Sequence, residues 1–520
     1  MPWTFASLSF MGDQPALENL EEQEQQVVAL SLAKRSCASS SGNGSLRDVQ
    51  PANLLELPTE IVSIVITQLE DLPDLARLAA TCHMLWCDAP AAAEWQIGPV
   101  ELELRQRAEA RRLVIDSSLP EGAASWVSYL LKRELRDALR RQAPLAAGSQ
   151  HSVFVDRKGR LLTCGKTGSV LGQGSEPNAI GPPTLVPSML DRRVVSVASG
   201  NLHCLALGAE GEVYSWGDGR GGGLGHGDEN LRAVPSRIAS LGRIESIMAG
   251  NMRSAAVDER GRLFTWGLAR IIPEEDTWST GLGYAVDLQT QSQLTPRRVD
   301  ALSQDRVVAV ALGLFFTLAV TDAGVVFSCG SGPLGVLGHG SMESEMLPRQ
   351  IEALTQTGRR FVAVAAGDCH ALALTEEGQL YGWGWGGANG HGQGGKHDTH
   401  TPELLTALLG ERVTCVDAAA LSSCAVTETG ELYTWGAGSR LLSHGGVAES
   451  LAVPKRVERL SGVRFVGVAL GGHHILVADE DGGAWACGGA TEACTARSWQ
   501  RSGVQVPTLI PTLRMRSCYR

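Results

Sequence analysis

Residues 194–227 read VVSVASGNLHCLALGAEGEVYSWGDGRGGGLGHG, and this stretch contains the pattern that decides the fold. Two short runs rich in Val, Ala and Leu precede a four-residue loop that ends in Gly211, and a further apolar run ends in Trp216-Gly217. Such a loop suits a β-hairpin, because glycine adopts the positive φ that these turns require. The stretch therefore predicts short antiparallel strands joined by tight turns.

The same unit recurs seven times, at a spacing of roughly fifty residues. Each copy has a four-residue loop with glycine at its last position: Gly159, Gly211, Gly261, Gly324, Gly378, Gly430 and Gly482. A Trp-Gly or Cys-Gly pair follows each loop, at Cys164, Trp216, Trp266, Cys329, Trp383, Trp435 and Cys487. Hairpins at this period are typical of radially arranged sheets, so we predict a mainly β protein with a seven-bladed β-propeller over residues 144–520.

The glycines after Trp216 could be mistaken for a nucleotide-binding turn, since Gly217, Gly219 and Gly222 spell G-x-G-x-x-G. A dinucleotide-binding turn occurs once and opens a helix in a βαβ unit. Here similar glycines recur in other repeats and no helical pattern follows. We interpret them as turns between strands and predict no cofactor.

Ring closure is predicted from a Pro-x-x-aliphatic motif that precedes repeats two to seven, at Pro183, Pro235, Pro296, Pro348, Pro402 and Pro454. Repeat one lacks the motif, but a seventh copy, Pro507 to Ile510, follows repeat seven. We therefore expect the C-terminal segment to pair into the first blade, so that both chain ends share it. Truncation near residue 505 should then destabilise the whole ring.

The residues before the propeller have a different texture. Residues 1–50 have linker-like composition and are predicted to be disordered. Residues 51–100 have apolar residues at helical spacing, which predicts a small all-α domain, and residues 101–143 predict a charged helical linker.

Composition limits the classes of function. The formal net charge of −11 disfavours general nucleic-acid binding, which requires an excess of Lys and Arg. The twelve cysteines form no C-x-x-C pair, and no apolar run is long enough to span a membrane. We expect an intracellular protein, in the cytoplasm, the nucleus or both.

Histidines and cysteines give no catalytic or metal-binding constellation. His151, His203, His370 and His474 share one repeat position, which Arg253, Phe316 and Ser423 occupy elsewhere, so we interpret it as a packing or hydrogen-bonding position. A loop holds His391, His397 and His400 beside Asp398, where weak zinc binding is an alternative to a plain polar loop. The cysteines at 164, 329 and 487 replace tryptophans and are predicted to be buried. We expect no enzyme activity.

The third repeat carries an insertion, LARIIPEEDTWST, at residues 268–280. Insertions in one blade project from one face of the ring and often carry partner contacts. The candidate partner loop comprises Glu274, Glu275, Asp276 and Trp278, and a neutral surface loop is the alternative.

The repeat resembles that of the regulator of chromosome condensation family, best in residues 194–227 and in FVAVAAGDCHALALTEEGQLYGWGWGG at residues 361–387. Founding members of that family exchange nucleotide on a small Ran-like GTPase and carry a basic tail, which this chain lacks. One branch senses ultraviolet light through tryptophans in G-W-R-H-T repeats. The stretches here read GNLHC, GDCHA and GGHHI, so photoreception by that route is not expected.

The segment LPTEIVSIVITQLEDLPDLARLAATCHMLW, at residues 57–86, resembles an F-box. That resemblance implies contact with a Skp-type adaptor of a cullin–RING ubiquitin ligase, through Leu57, Pro58, Ile61, Leu69, Leu75 and Leu78. The alternative is that these residues are only the core of a small helical domain. Together the two resemblances imply a non-enzymatic substrate-recognition subunit, with a GTPase exchange factor or a plain propeller scaffold as alternatives.

Overall fold

The computed structural model describes residues 144–166, 168–174, 182–269, 281–286, 291–392, 397–437, 444, 450–458, 462–488 and 504–515. The predicted N-terminal segment, helical domain and linker lie outside these residues, as does the candidate partner loop with Glu274, Glu275, Asp276 and Trp278. The six predicted adaptor-contact residues also lie outside them: Leu57, Pro58, Ile61, Leu69, Leu75 and Leu78.

Seven four-stranded antiparallel sheets form the blades of a propeller, and in each sheet the strands lie in chain order. Blades one to three contain β1 Leu145–Ala147, β2 His151–Val155, β3 Leu161–Gly165, β4 Thr184–Leu185; β5 Val194–Ser199, β6 His203–Gly208, β7 Val213–Gly217, β8 Arg232–Arg237; β9 Ile244–Ala249, β10 Arg253–Asp258, β11 Leu263–Leu268 and β12 Ser292–Arg298. Blades four and five contain β13 Val307–Leu312, β14 Phe316–Thr321, β15 Val326–Gly330, β16 Glu345–Gln350; β17 Phe361–Ala366, β18 His370–Thr375, β19 Leu380–Gly384 and β20 Thr399–Leu404. Blades six and seven contain β21 Val413–Ala419, β22 Ser422–Thr427, β23 Leu432–Gly436, β24 Leu451–Arg456; β25 Phe465–Leu470, β26 His474–Asp479, β27 Gly483–Gly488 and β28 Val504–Arg514. The predicted seven-bladed propeller is confirmed.

Helical structure in the described part of the chain is limited to single turns. The short 3-10 helices are Ser169–Leu171, Pro187–Met189, Arg220–Gly222, Asp300–Leu302, Pro333–Gly335 and Thr406–Leu408, and one α-helical turn covers Glu352–Thr355. The glycines of the G-x-G-x-x-G sequence belong to the connection between β7 and β8, which contains only the 3-10 turn. This agrees with their interpretation as turn residues.

The hairpin between the second and third strands of each blade explains the repeated glycine. In each hairpin the glycine N–H donates to the carbonyl three residues earlier, at 2.8–3.1 Å. All seven glycines have φ between 76° and 88°, a region that side chains with a Cβ rarely adopt. The loop prediction therefore holds at each of the seven positions.

The hydrophobic core lies between the blades rather than inside any one of them. Seven clusters of buried side chains are present, and each combines residues of two neighbouring blades. The cluster at the junction of blades seven and one contains Phe154 and Cys164 from blade one together with Ile510, Leu513 and Met515 from the C-terminal segment. Because each blade depends on both neighbours for burial, the ring must close to complete its core.

The closure differs in detail from the prediction. Pro507 to Ile510 lies in β28, the outer strand of blade seven, so the prediction that this motif is the missing piece of blade one was wrong. Each Pro-x-x-aliphatic motif in fact lies in or beside the fourth strand of its own blade and completes it. Blade one nevertheless takes one residue from the C-terminal end, because Met515 forms a β-bridge with Asp156.

Met515 occupies the place that Val194 has in blade two. The N–H of Val194 donates to Gly159 O of the preceding blade at 2.8 Å, and the N–H of Met515 donates to Gly482 O at 2.7 Å. The two chain ends therefore meet in blade one, as expected, but through Arg514 and Met515 only.

Candidate interaction surface

The predicted histidine position begins the second strand of four blades, and its side chains link neighbouring blades. Each imidazole Nε2 shares a hydrogen bond with a hydroxyl or thiol of the next blade. The pairs are His151 with Cys204 at 3.1 Å, His203 with Ser254 at 2.8 Å, His370 with Ser423 at 2.6 Å and His474 with Ser152 at 2.8 Å. The interpretation of this position as a hydrogen-bonding one is confirmed.

Burial keeps these four imidazoles neutral. It lowers the pKa of His151 and His474 to about 3 and the pKa of His203 and His370 to about 4. The neighbouring His474 and His203 lower the pKa of His151 further. Groups that stay neutral and enclosed at physiological pH can join blades through hydrogen bonds without the cost of burying a charge.

In blade six the residue predicted for the histidine position, Ser423, lies one residue too late in the chain. Ser422 pairs with Gly436 as His203 pairs with Gly217, so Ser422, and not Ser423, occupies the histidine position. Ser422 lies eight residues before Gly430, as His203 lies eight residues before Gly211, so the spacing of the repeat agrees with this assignment. Ala420, in the turn before Ser422, has a positive φ of 48°. Ser423 occupies the next position, where Ser254 stands in blade three, and its hydroxyl shares a hydrogen bond with His370 of blade five.

Arg253 occupies the histidine position in blade three and is 2% exposed. Its guanidinium donates to the carbonyls of Gly281 at 2.7 Å, Gly313 at 2.7 Å and Phe316 at 2.9 Å. Burial lowers the pKa of Arg253 to about 10. It joins blade three to blade four with backbone carbonyls as its partners, which nothing in the repeat pattern indicated.

The tryptophans form a second set of links between blades. The indole Nε1–H of each donates to a loop carbonyl of the preceding blade, from Trp216 to Val170, Trp266 to Gly223, Trp383 to Val336 and Trp435 to Ala388, at 2.7–3.0 Å. All four indoles are fully buried, and Cys164, Cys329 and Cys487 are buried where they replace them. The structural role predicted for both residue types is confirmed.

In the described part of the histidine-rich loop of blade five, His391 and Asp398 have backbone partners. His391 Nε2 lies 3.0 Å from Gly382 O, and Asp398 accepts a hydrogen bond from the Gly386 N–H at 3.0 Å. His226 and His339 occupy the same repeat position and bond Ser215 and Ser328, each at 2.9 Å. Across the residues that the structure describes, no group of three His, Cys, Asp or Glu side chains could hold a metal ion.

One face of the ring, here called the hairpin face, carries the seven β-hairpins and a ring of arginines. An arginine precedes the first strand in six blades: Arg193, Arg243, Arg306, Arg360, Arg412 and Arg464. Most pair with an acid at the second position of the four-residue hairpin loop of their own blade, as in Arg360–Glu376 at 3.4 Å and Arg412–Glu428 at 3.6 Å. The recurring Arg before each Val/Ile/Phe-rich run was the sequence signal for this ring, and the sequence analysis missed it.

The opposite face, here called the loop face, carries the connections between the first and second strands. In five consecutive blades the residue just before the histidine position is apolar and half-buried: Leu202, Met252, Phe315, Cys369 and Leu421. These side chains are partly open to solvent, whereas blades seven and one have His473 and Gln150 there. The loop face thus combines a rigid backbone with an apolar arc, a composition suited to protein contacts.

Within the described ranges, no helix has the length and apolar character that crossing a membrane would need.

A closed ring whose buried histidines, tryptophans and Arg253 join neighbouring blades, with loops that differ from blade to blade on its faces, defines a β-propeller interaction module. The model of the regulator of chromosome condensation (RCC1) repeat matches residues 158–207, 210–257, 323–374 and 429–478, and a second model of that repeat matches 194–222 and 361–393. The Ultraviolet-B receptor UVR8 of Arabidopsis thaliana is 32% identical over 325 residues, 61% of this chain and 70% of UVR8. The chain belongs to the RCC1 repeat family.

Two further similarities bear on function. The E3 ubiquitin-protein ligase HERC2 of Homo sapiens is 35% identical over 345 residues, 65% of this chain, and these amount to only 7% of the length of HERC2. The crystal structure of Prp20p from Saccharomyces cerevisiae, described with its binding properties to Gsp1p and histones, superposes with a TM-score of 0.57 at 25% identity. The superposition covers 72% of this chain and 89% of Prp20p.

Proposed function

We propose that this protein is a non-enzymatic substrate-recognition subunit of a cullin–RING ubiquitin ligase of the SCF type. In this proposal residues 51–100 dock on a Skp-type adaptor, and the propeller holds the protein that is to be modified. The observation that carries it is a rigid propeller joined to a segment that resembles an F-box at Leu57, Pro58 and Ile61.

The propeller supports the recognition half of this proposal. Its buried histidines, its tryptophans and Arg253 form hydrogen bonds between blades. The two faces of the closed ring carry the loops and hairpins that a partner can contact. A preorganised surface of this kind limits the entropy lost when a partner binds. The similarity to a segment of the ubiquitin ligase HERC2 adds a likeness to ubiquitin-related proteins.

The adaptor half is tested by co-purification of the full chain with a Skp-type adaptor. We expect saturable binding that is lost in Leu57→Ala/Pro58→Ala, because the resemblance assigns both side chains to the adaptor contact. The matched control is Leu119→Ala/Pro120→Ala, which makes the same change in the predicted helical linker, outside residues 51–100.

The control variant should bind as the wild type does. Equal loss in both double variants would show that the helical region is generally disrupted, and absence of binding by the wild-type chain would disprove the adaptor role. In that case the propeller scaffold with another partner becomes the working model.

The similarity to Prp20p favours a second candidate, a guanine-nucleotide exchange factor for a small Ran-like GTPase. It is tested by the rate at which the full chain releases labelled GDP from such a GTPase. Acceleration that depends on the folded propeller, together with no adaptor binding, would favour this candidate over the ligase subunit.

A further inference from the structure

The first hairpin of the propeller brings five basic side chains together, and these residues are here called the basic cluster. Arg157 and Lys158 form the tip of the hairpin between β2 and β3, and both are exposed. Arg193 crosses this hairpin from blade two, because a Cβ placed on Gly159 would meet Arg193 Cγ at 2.7 Å. The exposed Arg192 precedes it in the chain.

The C-terminal segment supplies the fifth member. The N–H of Arg157 donates to Arg514 O at 3.2 Å, so the exposed Arg514 lies directly beside the hairpin. The Arg157 guanidinium in turn donates to Met515 O at 3.3 Å and to Asp481 O of blade seven. The basic cluster is therefore held by backbone contacts at the point where the ring closes.

The cluster is a departure from the rule that the other blades follow. At the second position of the four-residue hairpin loop, where blade one has Arg157, the others have Glu259, Asp322, Glu376, Glu428 and Glu480, with Ala209 in blade two. In blades three, five, six and seven that acid pairs with the arginine of the same blade. Blade one reverses the sign of this position, so that Arg157 lies beside Arg514, and Ala209 in blade two leaves Arg193 without the usual acid.

No ion pair involves Arg157, Lys158, Arg192, Arg193 or Arg514 among the side chains that the structure describes; the ion pairs found on the same face involve other residues. Elsewhere in the molecule exposed arginines are mostly paired, and the whole chain carries a net charge of −11. A concentration of unpaired positive charge on an acidic protein attracts anionic groups and accelerates their association.

We propose that the basic cluster is a docking site for an acidic segment of a partner protein, which several carboxylates contact at once. This deepens the proposed function by naming the chemistry of the captured partner, and it rests on that function only in assigning partner capture to the propeller. It requires no adaptor.

An acidic peptide fits the cluster better than a nucleic acid does. The exposed Asp191, Glu210 and Asp481 lie next to the cluster in the chain or across its hairpin contacts and limit its extent. A short carboxylate-rich segment can bind within that limit, whereas a long phosphate backbone would pass over these acids and be repelled. Arginine also forms the paired N–H contacts that carboxylates accept.

The test uses the full chain and a fluorescein-labelled peptide of alternating Asp and Ser, with binding followed by anisotropy at ~0.05 M and ~0.15 M salt. We expect binding that weakens with salt and that falls about tenfold or more in Lys158→Glu/Arg193→Glu. The matched control is Arg260→Glu/Arg243→Glu, which makes the same change in total charge at two exposed arginines of the hairpin face outside the basic cluster.

Lys158 and Arg260 are well matched, because each backbone N–H donates to the Oδ1 of the hairpin aspartate, at 2.9 Å from Asp156 and 3.0 Å from Asp258. The control should bind the peptide within about twofold of the wild type. Circular dichroism and an unchanged unfolding midpoint confirm that both double variants are folded.

Four results would overturn the proposal. Equal loss in both double variants would mean that binding follows net charge alone. Tighter, cluster-dependent binding of a single-stranded DNA of equal charge would assign the surface to nucleic acid. A variant of the full chain has Glu18, Glu21, Glu22 and Glu24 changed to Gln. If this variant binds the peptide and the wild type does not, the occupant of the cluster is the chain's own acidic segment. If neither chain binds the peptide, docking is disproved. Adaptor co-purification is unaffected by any of these results.

Discussion

At the scale of single residues, glycine and histidine in the V-A-x-G-x-x-H pattern depend on each other. A Cβ on Gly148, Gly200, Gly367 or Gly471 would come within 3.0 Å of the imidazole three residues later. The imidazole therefore fits only where that position is a glycine. In blade six, where Ser422 replaces the histidine, the glycine position holds Ala419. The small hydroxyl leaves room for the methyl group, and both residues change together.

This dependence predicts a non-additive pair of substitutions. Gly367→Ala should cost about 1–3 kcal/mol of unfolding free energy, because the added Cβ meets His370 Nδ1 at 2.6 Å and Ala420 O at 2.8 Å. Adding His370→Ser should recover part of that cost, so the double variant is more stable than the sum of the single effects by about 1 kcal/mol.

Urea unfolding of the two single variants and the double variant measures this coupling. Gly242→Ala is the control, since a Cβ there meets nothing within 4 Å and its φ is not in the left-handed region. Strict additivity of Gly367→Ala and His370→Ser would refute the steric explanation.

At the scale of elements, the sequence repeat and the structural blade are out of phase. The RCC1 match at residues 158–207 begins in the hairpin of blade one and ends in the second strand of blade two. Each repeat therefore contains the outer half of one blade and the inner half of the next, with a blade joint inside it. This offset explains why the Pro-x-x-aliphatic motif was assigned to the following blade.

The last element, β28 with Met515, should be essential to the ring, although it lies at the end of the chain. Met515→Ala should lower the unfolding free energy by about 2–5 kcal/mol, because the side chain is 0% exposed and packs in the cluster between blades seven and one. A chain ending near residue 505 should lose more, since it also exposes the edge of β27.

Met342→Ala is the matched control, because that side chain is 57% exposed. It should change the unfolding free energy by no more than about 0.5 kcal/mol. Chemical denaturation of both variants provides the comparison, and equal stability of Met515→Ala and the wild type would mean that the C-terminal segment does not close the ring.

At the scale of the whole molecule, the four neutral histidines make ring stability depend on pH. Their pKa values are about 3 to 4 in the folded protein and near 6.5 when unfolded, so below pH 6.5 the unfolded chain binds protons that the folded chain does not. Their contribution is complete above pH 6.5 and is lost as the pH falls towards 3.

We therefore expect the unfolding free energy to fall between pH 6.5 and 4, with a limiting slope of about 1.4 kcal/mol per pH unit for a histidine that is neutral when folded and charged when unfolded. Urea unfolding at several pH values in this range measures the slope. Replacing His474 with Gln should reduce the slope by up to one proton, and a flat profile in the wild type would show that the imidazoles are not held neutral.

Asp417 acts in the opposite sense. Burial raises its pKa to about 6, although the N–H groups of Ala418 and Leu470 donate to its carboxylate at 2.9 and 2.7 Å. Its folded form binds a proton more readily than the unfolded one, so its contribution is present below the ordinary aspartate pKa and is lost as the pH rises through 6. It offsets part of the histidine effect in the same pH range.

The sequence alone determined the blade number, the hairpins and the buried role of Trp216 and Cys164, because these features depend on local patterns that occur in every repeat. Glycine at the end of a four-residue loop and an apolar run before Trp-Gly indicate a hairpin wherever they occur. The tertiary structure alone decided which blade Pro507 joins, and that Arg157, Arg193 and Arg514 meet on one hairpin. These features arise only when the ring closes and distant segments become neighbours, and no local pattern records that distance.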